Sequence, residues 1–133
     1  MMRNSAIIML SPDRLRPTEE TDPARLAWLL EKIGREGVWT QPICVEAGSL
    51  VVMDGHHRLA VALRLGLQNV PCIGYSYAEV RIESRRPGFT VSADDIIGHG
   101  LRGELFPAKT TRHYFPEDIT CRIGLDVLLN IPA

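Results

Sequence analysis

The sequence has 133 residues, of which 45% are hydrophobic and 23% charged, and its formal net charge is -1. This length suits one domain, and the balance is that of an ordinary soluble globular protein. Near-neutrality argues against a protein that coats DNA, which is usually markedly basic. The N-terminal apolar run, Ala6–Leu10, is too short for a signal or membrane segment, so a cytoplasmic protein is expected, with neither membrane nor nucleic acid as partner.

Ala6–Leu10 reads as a short strand closed by Ser11-Pro12. After the polar turn Arg16-Pro17-Thr18-Glu19-Glu20-Thr21, Asp22 as N-cap and Pro23 at the first helical position open a helix. Its inner face carries Leu26, Leu29, Leu30 and Ile33, and Gly34 and Gly37 are expected to end it. Ile43–Glu46 and Leu50–Met53 form a hairpin through Ala47-Gly48-Ser49. Asp54-Gly55 breaks the second strand. A helix then runs from about His57 to Leu65, with Leu59, Ala62 and Leu63 inward and Gly66 as its stop, and Val70–Tyr75 is the next strand. The front half is thus a β-α-β-β-α-β unit. Beyond it, Glu79–Glu83 adds a strand, Arg85-Arg86-Pro87-Gly88 a turn, and Ser92–Asp95 a capping box that opens a helix to about Leu101. Gly98 to Pro116 reads as a polar loop, and Asp118–Ile131 as a last strand or amphipathic helix. The expected organisation is a single domain over residues 1–133, a core at about 6–83 with an extension at about 84–133, and the apolar Val127–Ile131 makes a homodimer plausible.

Chemistry concentrates at Asp54-Gly55-His56-His57-Arg58, where a buried strand runs into a helix. Free N–H groups at a helix start attract anions, and the helix dipole reinforces them. Gly55 permits close approach, three donor side chains surround it, and Asp54 can hold a divalent cation or orient a histidine. The plain alternative, a helix cap with solvated first-turn residues, suits any one of these residues better than all five. Lys109-Thr110-Thr111-Arg112-His113 is a second polar cluster, suited to phosphate or carboxylate and otherwise an exposed basic loop. Glu19 and Glu20 either complement the following helix dipole or, if their turn faces the first cluster, supply a general base. Of the 15 basic residues 13 are Arg, a bias that favours bidentate anion recognition and that a GC-rich genome also produces. Cys44, Cys72 and Cys121 form no metal-binding pattern, and the first two read as buried thiols.

Over about Ile7–Tyr75, with LRPTEE, QPICV, VVMDGHHRLAVALRLG and VPCIGY in order, the sequence resembles the ParB/sulfiredoxin superfamily. The resemblance implies an α+β fold with a β-α-β-β-α-β core and a short C-terminal extension that completes the active site. Sulfiredoxins carry a catalytic cysteine where His56 stands. Partition proteins of the superfamily bind CTP but add a basic helix-turn-helix region. The pairing of DGHHR with KTTRH is similar to the free serine kinases, although Thr18 stands where those have histidine and the segment between the motifs is shorter. That branch implies phosphoryl transfer from ADP or ATP to free L-serine, with Mg²⁺. Glu19 would be the base, with Glu20 as alternative, and Asp54 a catalytic and metal-holding carboxylate. Gly55, His56, His57, Arg58 and Lys109 would hold nucleotide phosphates, and Thr110, Thr111, Arg112 and His113 the amino acid. The rival readings are a regulator that binds CTP or ADP without turnover and a ParB-like nuclease or DNA-binding module.

Overall fold

A computed structural model describes residues 6–88 and 90–129. Strand β1 (Ile8–Leu10) leads through a 3-10 turn at Pro12–Arg14 to helix α1 (Pro23–Glu36). The Asp22 carboxylate accepts the amides of Ala24 and Arg25, and Pro23 opens the first turn, as the sequence pattern requires. Gly34, expected to help end the helix, lies inside it, and the chain leaves α1 only at Gly37, which takes a left-handed φ of 70°. One interior glycine costs a helix about 1 kcal/mol, which burial of Leu26 and Ile33 outweighs.

Strands β2 (Val38–Trp39), β3 (Ile43–Glu46) and β4 (Val52–Asp54) come next, then helix α2 (His56–Leu65) and strand β5 (Val70–Tyr75). The main sheet has the order β1-β5-β3-β4, in which β3 runs parallel to β5 and the outer pairs are antiparallel. The expected hairpin joins β3 to β4, its turn fixed by the Glu46 carboxylate on the amides of Gly48 and Ser49. Helices α1 and α2 pack on one face, burying Ile43, Val45, Val52, Leu59, Val61, Ala62 and Val70. Leu63 was expected inside but is 51% exposed. At 100° per residue the buried arc of α2 centres on Ala62 and takes in Val61 and Leu59, leaving Leu63 beyond its edge.

Strand β6 (Arg81–Ser84), helix α3 (Ala93–Arg102), strands β7 (Thr111–Tyr114) and β8 (Ile123–Gly124) and helix α4 (Leu125–Leu129) complete the chain. The expected loop from Gly98 to Pro116 is in part regular. Helix α3 continues to Arg102 because Gly100 lets it approach Val51, where an added Cβ would fall 2.4 Å from the valine side chain. Strand β7 exists because β6 pairs with it, Ser84 opposite Thr111 and Ile82 opposite His113, a long-range ladder with no local signal. The final segment is both a strand, paired with β2, and a helix; residues 130 and 131 of the expected apolar tail lie outside the described residues. Among the described residues no helix is long and apolar enough to cross a membrane.

Candidate active site

The acidic turn is set by backbone pairing with the residues that lead into β4. Arg16 N–H donates to Leu50 O at 2.9 Å and Val52 N–H to Arg16 O at 2.9 Å. Farther on, Phe106 N–H donates to Thr18 O and Glu20 N–H to Phe106 O, both at 2.8 Å. Glu19 is thereby turned inward, only 8% exposed. Its Oε1 accepts Thr110 N–H at 3.1 Å, and its Oε2 accepts Thr111 N–H at 3.3 Å together with the Thr111 hydroxyl. Glu20 stays exposed.

Helix α2 begins at Gly55, whose φ of 116° places it where L side chains rarely go. A Cβ there would also sit 3.2 Å from the Ile43 side chain. No side chain caps this helix, so its first amides are open to an anion. His56 Nε2 accepts Thr18 N–H at 3.0 Å and lies 3.1 Å from the Thr18 hydroxyl. Burial, with the neighbouring His113, His57 and Arg58, pushes the His56 pKa down to about 3. His57 Nε2 accepts Asp22 N–H at 2.9 Å, and burial with Arg25 nearby lowers its pKa too. Arg58 is held by Pro42 O at 2.8 Å and Asp54 Oδ2 at 3.1 Å, while the Asp54 side chain remains 59% exposed.

These groups share one cleft of about 390 Å³, lined by Glu19, Glu20, Asp54, Gly55, His56, His57, Arg58, Lys109 and Thr111. Arg25, Leu29, Met53 and Arg85 complete its wall. Arg85 reads in the sequence as a turn residue, and Arg25 carries no sequence signal for a site. Only the β6–β7 ladder and the Arg85 N–H on Thr110 O at 2.8 Å bring Arg85 to the cleft. Lys109 takes a left-handed φ of 59°, and the next residue, Thr110, is fully buried with its hydroxyl on Pro107 O at 2.6 Å.

The KTTRH residues do not all converge. Alternation along β7 puts Thr111 and His113 on one face, Arg112 and Tyr114 on the other. Arg112 therefore does not join the cleft as expected; it is exposed, with its guanidinium 5.0 Å from the Tyr114 ring centroid. His113 lies behind the cleft wall, its Nε2 2.9 Å from the Tyr77 hydroxyl, and burial pushes its pKa down to about 4. Its Nδ1 is buried with no hydrogen-bond partner among the described residues.

Among the described residues no group of three or more His, Cys, Asp or Glu side chains is arranged to hold a metal ion. Magnesium usually takes one or two carboxylates plus phosphate and water oxygens, a requirement that Asp54 and Glu20 on the cleft wall fit. Burial pushes the Cys44 and Cys72 thiols up to about 12, so neither is a thiolate nucleophile. A second groove of about 220 Å³ adjoins the cleft through the shared Arg25, Leu29 and Arg58 and is walled by Trp28, Trp39, Thr40 and Gln41. Trp28 is 51% exposed, with the Arg25 guanidinium 4.5 Å from its ring centroid.

No protein-family model matches the chain. It is 39% identical over 96 residues to an ATP-dependent L-serine kinase of Staphylothermus marinus, an alignment covering 68% of this chain and 38% of that protein. It is 30% identical over 132 residues to an ATP-dependent L-serine kinase of Desulfurococcus mucosus, covering 95% and 48%. A ParB-like protein of Sulfolobus acidocaldarius is 32% identical over 101 residues, covering 76% and 50%. The chain thus spans half or less of the length of these curated relatives. Among solved structures, a free serine kinase with a glutamate-to-glutamine substitution, in complex with AMP, superposes with a TM-score of 0.84 at 14% identity, over 95% of both chains. The unsubstituted enzyme in complex with AMP gives 0.83 at 14% identity, again over 95% of both. The fold of this chain is the one those structures have.

Proposed function

We propose that this chain, which belongs to the ParB/sulfiredoxin superfamily, is a kinase that transfers a phosphoryl group from ATP or ADP to the hydroxyl of free L-serine. The observation that carries this reading is the placement of an inward-turned carboxylate, Glu19, in the same cleft as an uncapped helix N-terminus. Phosphoryl transfer needs positioning and charge neutralisation rather than covalent help from the protein. The first amides of α2, with Arg58, Lys109 and Arg85 around them, suit the donor phosphates. A magnesium ion on Asp54 would neutralise charge on the transferring group. The groove beside Trp28 supplies an aromatic face for the nucleobase, continuous with the phosphate cleft.

Glu19 has the right geometry for a base. A carboxylate offers about four acceptor sites. Thr110 N–H, Thr111 N–H and the Thr111 hydroxyl fill three of them, leaving one for the acceptor's hydroxyl proton. Those three donors also fix the carboxylate, so its fourth site has a defined direction. Thr111 and Lys109 stand beside it for the amino acid's own polar groups.

The test is a purified sample with Mg²⁺, L-serine and either ATP or ADP, read by mass spectrometry for O-phosphoserine. Product with one donor supports the kinase. Tight nucleotide binding with no phosphoserine from ATP, ADP or CTP overturns it in favour of a nucleotide-binding regulator, and salt-sensitive DNA binding would favour a DNA module.

A further inference from the structure

We propose that the rings of His56 and His57 are positioning residues, which clamp the turn carrying Glu19 onto the start of α2 and so lock the base to the phosphate cradle. This deepens the kinase reading and rests on it for the role of Glu19. The two ring contacts bracket the acidic pair: His56 Nε2 takes the amide of Thr18 at 3.0 Å and His57 Nε2 that of Asp22 at 2.9 Å. They link segments 38 and 35 positions apart in the chain.

The chemistry of the contact fixes the state of the rings. A backbone N–H only donates, so each Nε2 must be unprotonated and each neutral ring carries its proton on Nδ1. An Nε2 that accepts an amide is not an Nε2–H donor to a phosphate. Phosphate recognition by this dipeptide then falls to its main-chain amides at the uncapped helix start, while the side chains hold the acidic turn.

The need for histidine follows. The amides of Thr18 and Asp22 take their acceptors from two residues that line the cleft proposed for the phosphates. A carboxylate there would satisfy them but repel the phosphates. An imidazole is a neutral acceptor on a planar side chain with two rotatable bonds, so it fixes distance at little entropic cost. Loss of the tether displaces Glu19 from the transferring group without removing any group that touches the nucleotide. A misplacement of about 1 Å is sufficient to cost on the order of a hundredfold in rate.

Two measurements on the full chain test this. Nitrogen-15 NMR of the imidazoles at neutral pH should show unprotonated Nε2 and protonated Nδ1 in both His56 and His57. The opposite tautomer in either ring removes that ring's clamp and overturns the proposal for it. His57→Ala should lower kcat about tenfold or more while the nucleotide Kd stays within about twofold, and should speed amide exchange at Asp22. His57→Gln, which keeps a neutral acceptor, should restore most of both. A rise in nucleotide Kd at unchanged kcat would place the ring on the phosphates instead. If the unaltered protein makes no phosphoserine, the kinase reading fails, and the tautomers and amide exchange still decide whether the clamp exists.

Discussion

Glu19 and Thr111, 92 positions apart in the chain, meet through two hydrogen bonds to one carboxylate oxygen. The amide and the hydroxyl of the threonine both donate to Oε2, while Thr110 N–H serves Oε1. The acidic turn and the distant KTTRH segment are therefore one structural unit, and the cleft is not closed without both.

Glu19→Gln should damage stability as well as turnover. All three partners of the carboxylate are donors, so the new amide nitrogen must face an N–H or O–H that it cannot accept. In a site only 8% exposed, an unsatisfied donor costs about 1–3 kcal/mol, which a lower urea midpoint will register. Turnover should fall by about a hundredfold or more with nucleotide affinity retained. Glu20→Gln, at an exposed position, should leave the urea midpoint nearly unchanged and cost turnover far less than Glu19→Gln does. If turnover is lost in the Glu20 variant and kept in the Glu19 one, the base is Glu20.

Elements whose signals are local are the ones legible in the sequence. Val70–Tyr75 alternates with nothing and is buried on both faces, so a short apolar run between turn residues marked both its ends. Asp22-Pro23 and Ser92–Asp95 announced helix starts through capping chemistry that needs no tertiary contact. The site was legible as residue types but not as directions. His56 and His57 looked like donors to a ligand, whereas their Nε2 atoms accept amides from the acidic turn. Arg112 looked like part of a cluster until its pairing with β6 assigned it a face. Arg25 and Arg85 carry no local mark, because the cleft they line exists only once β4, α2 and β7 are assembled.

Gly55→Ala tests the cradle independently of any side-chain chemistry. The substitution forces an L residue to a φ of 116° and presses its Cβ to 3.2 Å from Ile43. Strain of this kind costs about 1–3 kcal/mol. If the helix start shifts to relieve it, the open amides move with it, so nucleotide Kd should rise along with the loss of stability. Calorimetric titration with ATP and a urea midpoint would show both; an unchanged Kd would mean that the phosphates sit elsewhere.

Acid should destabilise the fold before the carboxylates titrate. In the folded chain His113 is pushed down to about 4 and His56 to about 3, in both cases chiefly by burial. In the unfolded chain both return to about 6.5. The folded state then binds fewer protons, so this stability is fully present above about pH 6.5 and declines as pH falls below it. From pH 6.5 to 5 each ring accounts for about 2 kcal/mol at most. Urea midpoints at pH 7, 6 and 5 should fall steadily, and His113→Phe should make the slope clearly shallower, leaving the share of His56 and His57, whatever it does to the absolute midpoint. A flat profile would show that the rings are not held neutral.

Lys109→Ala and Arg112→Ala separate two cations of one motif by the face each occupies. Lys109 lines the cleft, and Arg112 stands on the other side of β7 beside Tyr114. A lysine on a phosphate or carboxylate contributes about 1.5–3 kcal/mol through a charged hydrogen bond, so its loss should weaken nucleotide or serine binding about tenfold or more. Loss of Arg112 removes an exposed guanidinium–ring contact that contributes about 0.5–1 kcal/mol to stability and should leave both binding constants within about twofold. The comparison also reads the strand register. A slip of one residue in the β6–β7 ladder would exchange the faces, turning Arg112 and Tyr114 inward and Thr111 away from Glu19. In that case Arg112→Ala would raise the KM for serine, and Thr111→Val would no longer disturb Glu19. The register in which Ser84 faces Thr111 requires the reverse: serine KM insensitive to Arg112, and turnover sensitive to the Thr111 hydroxyl.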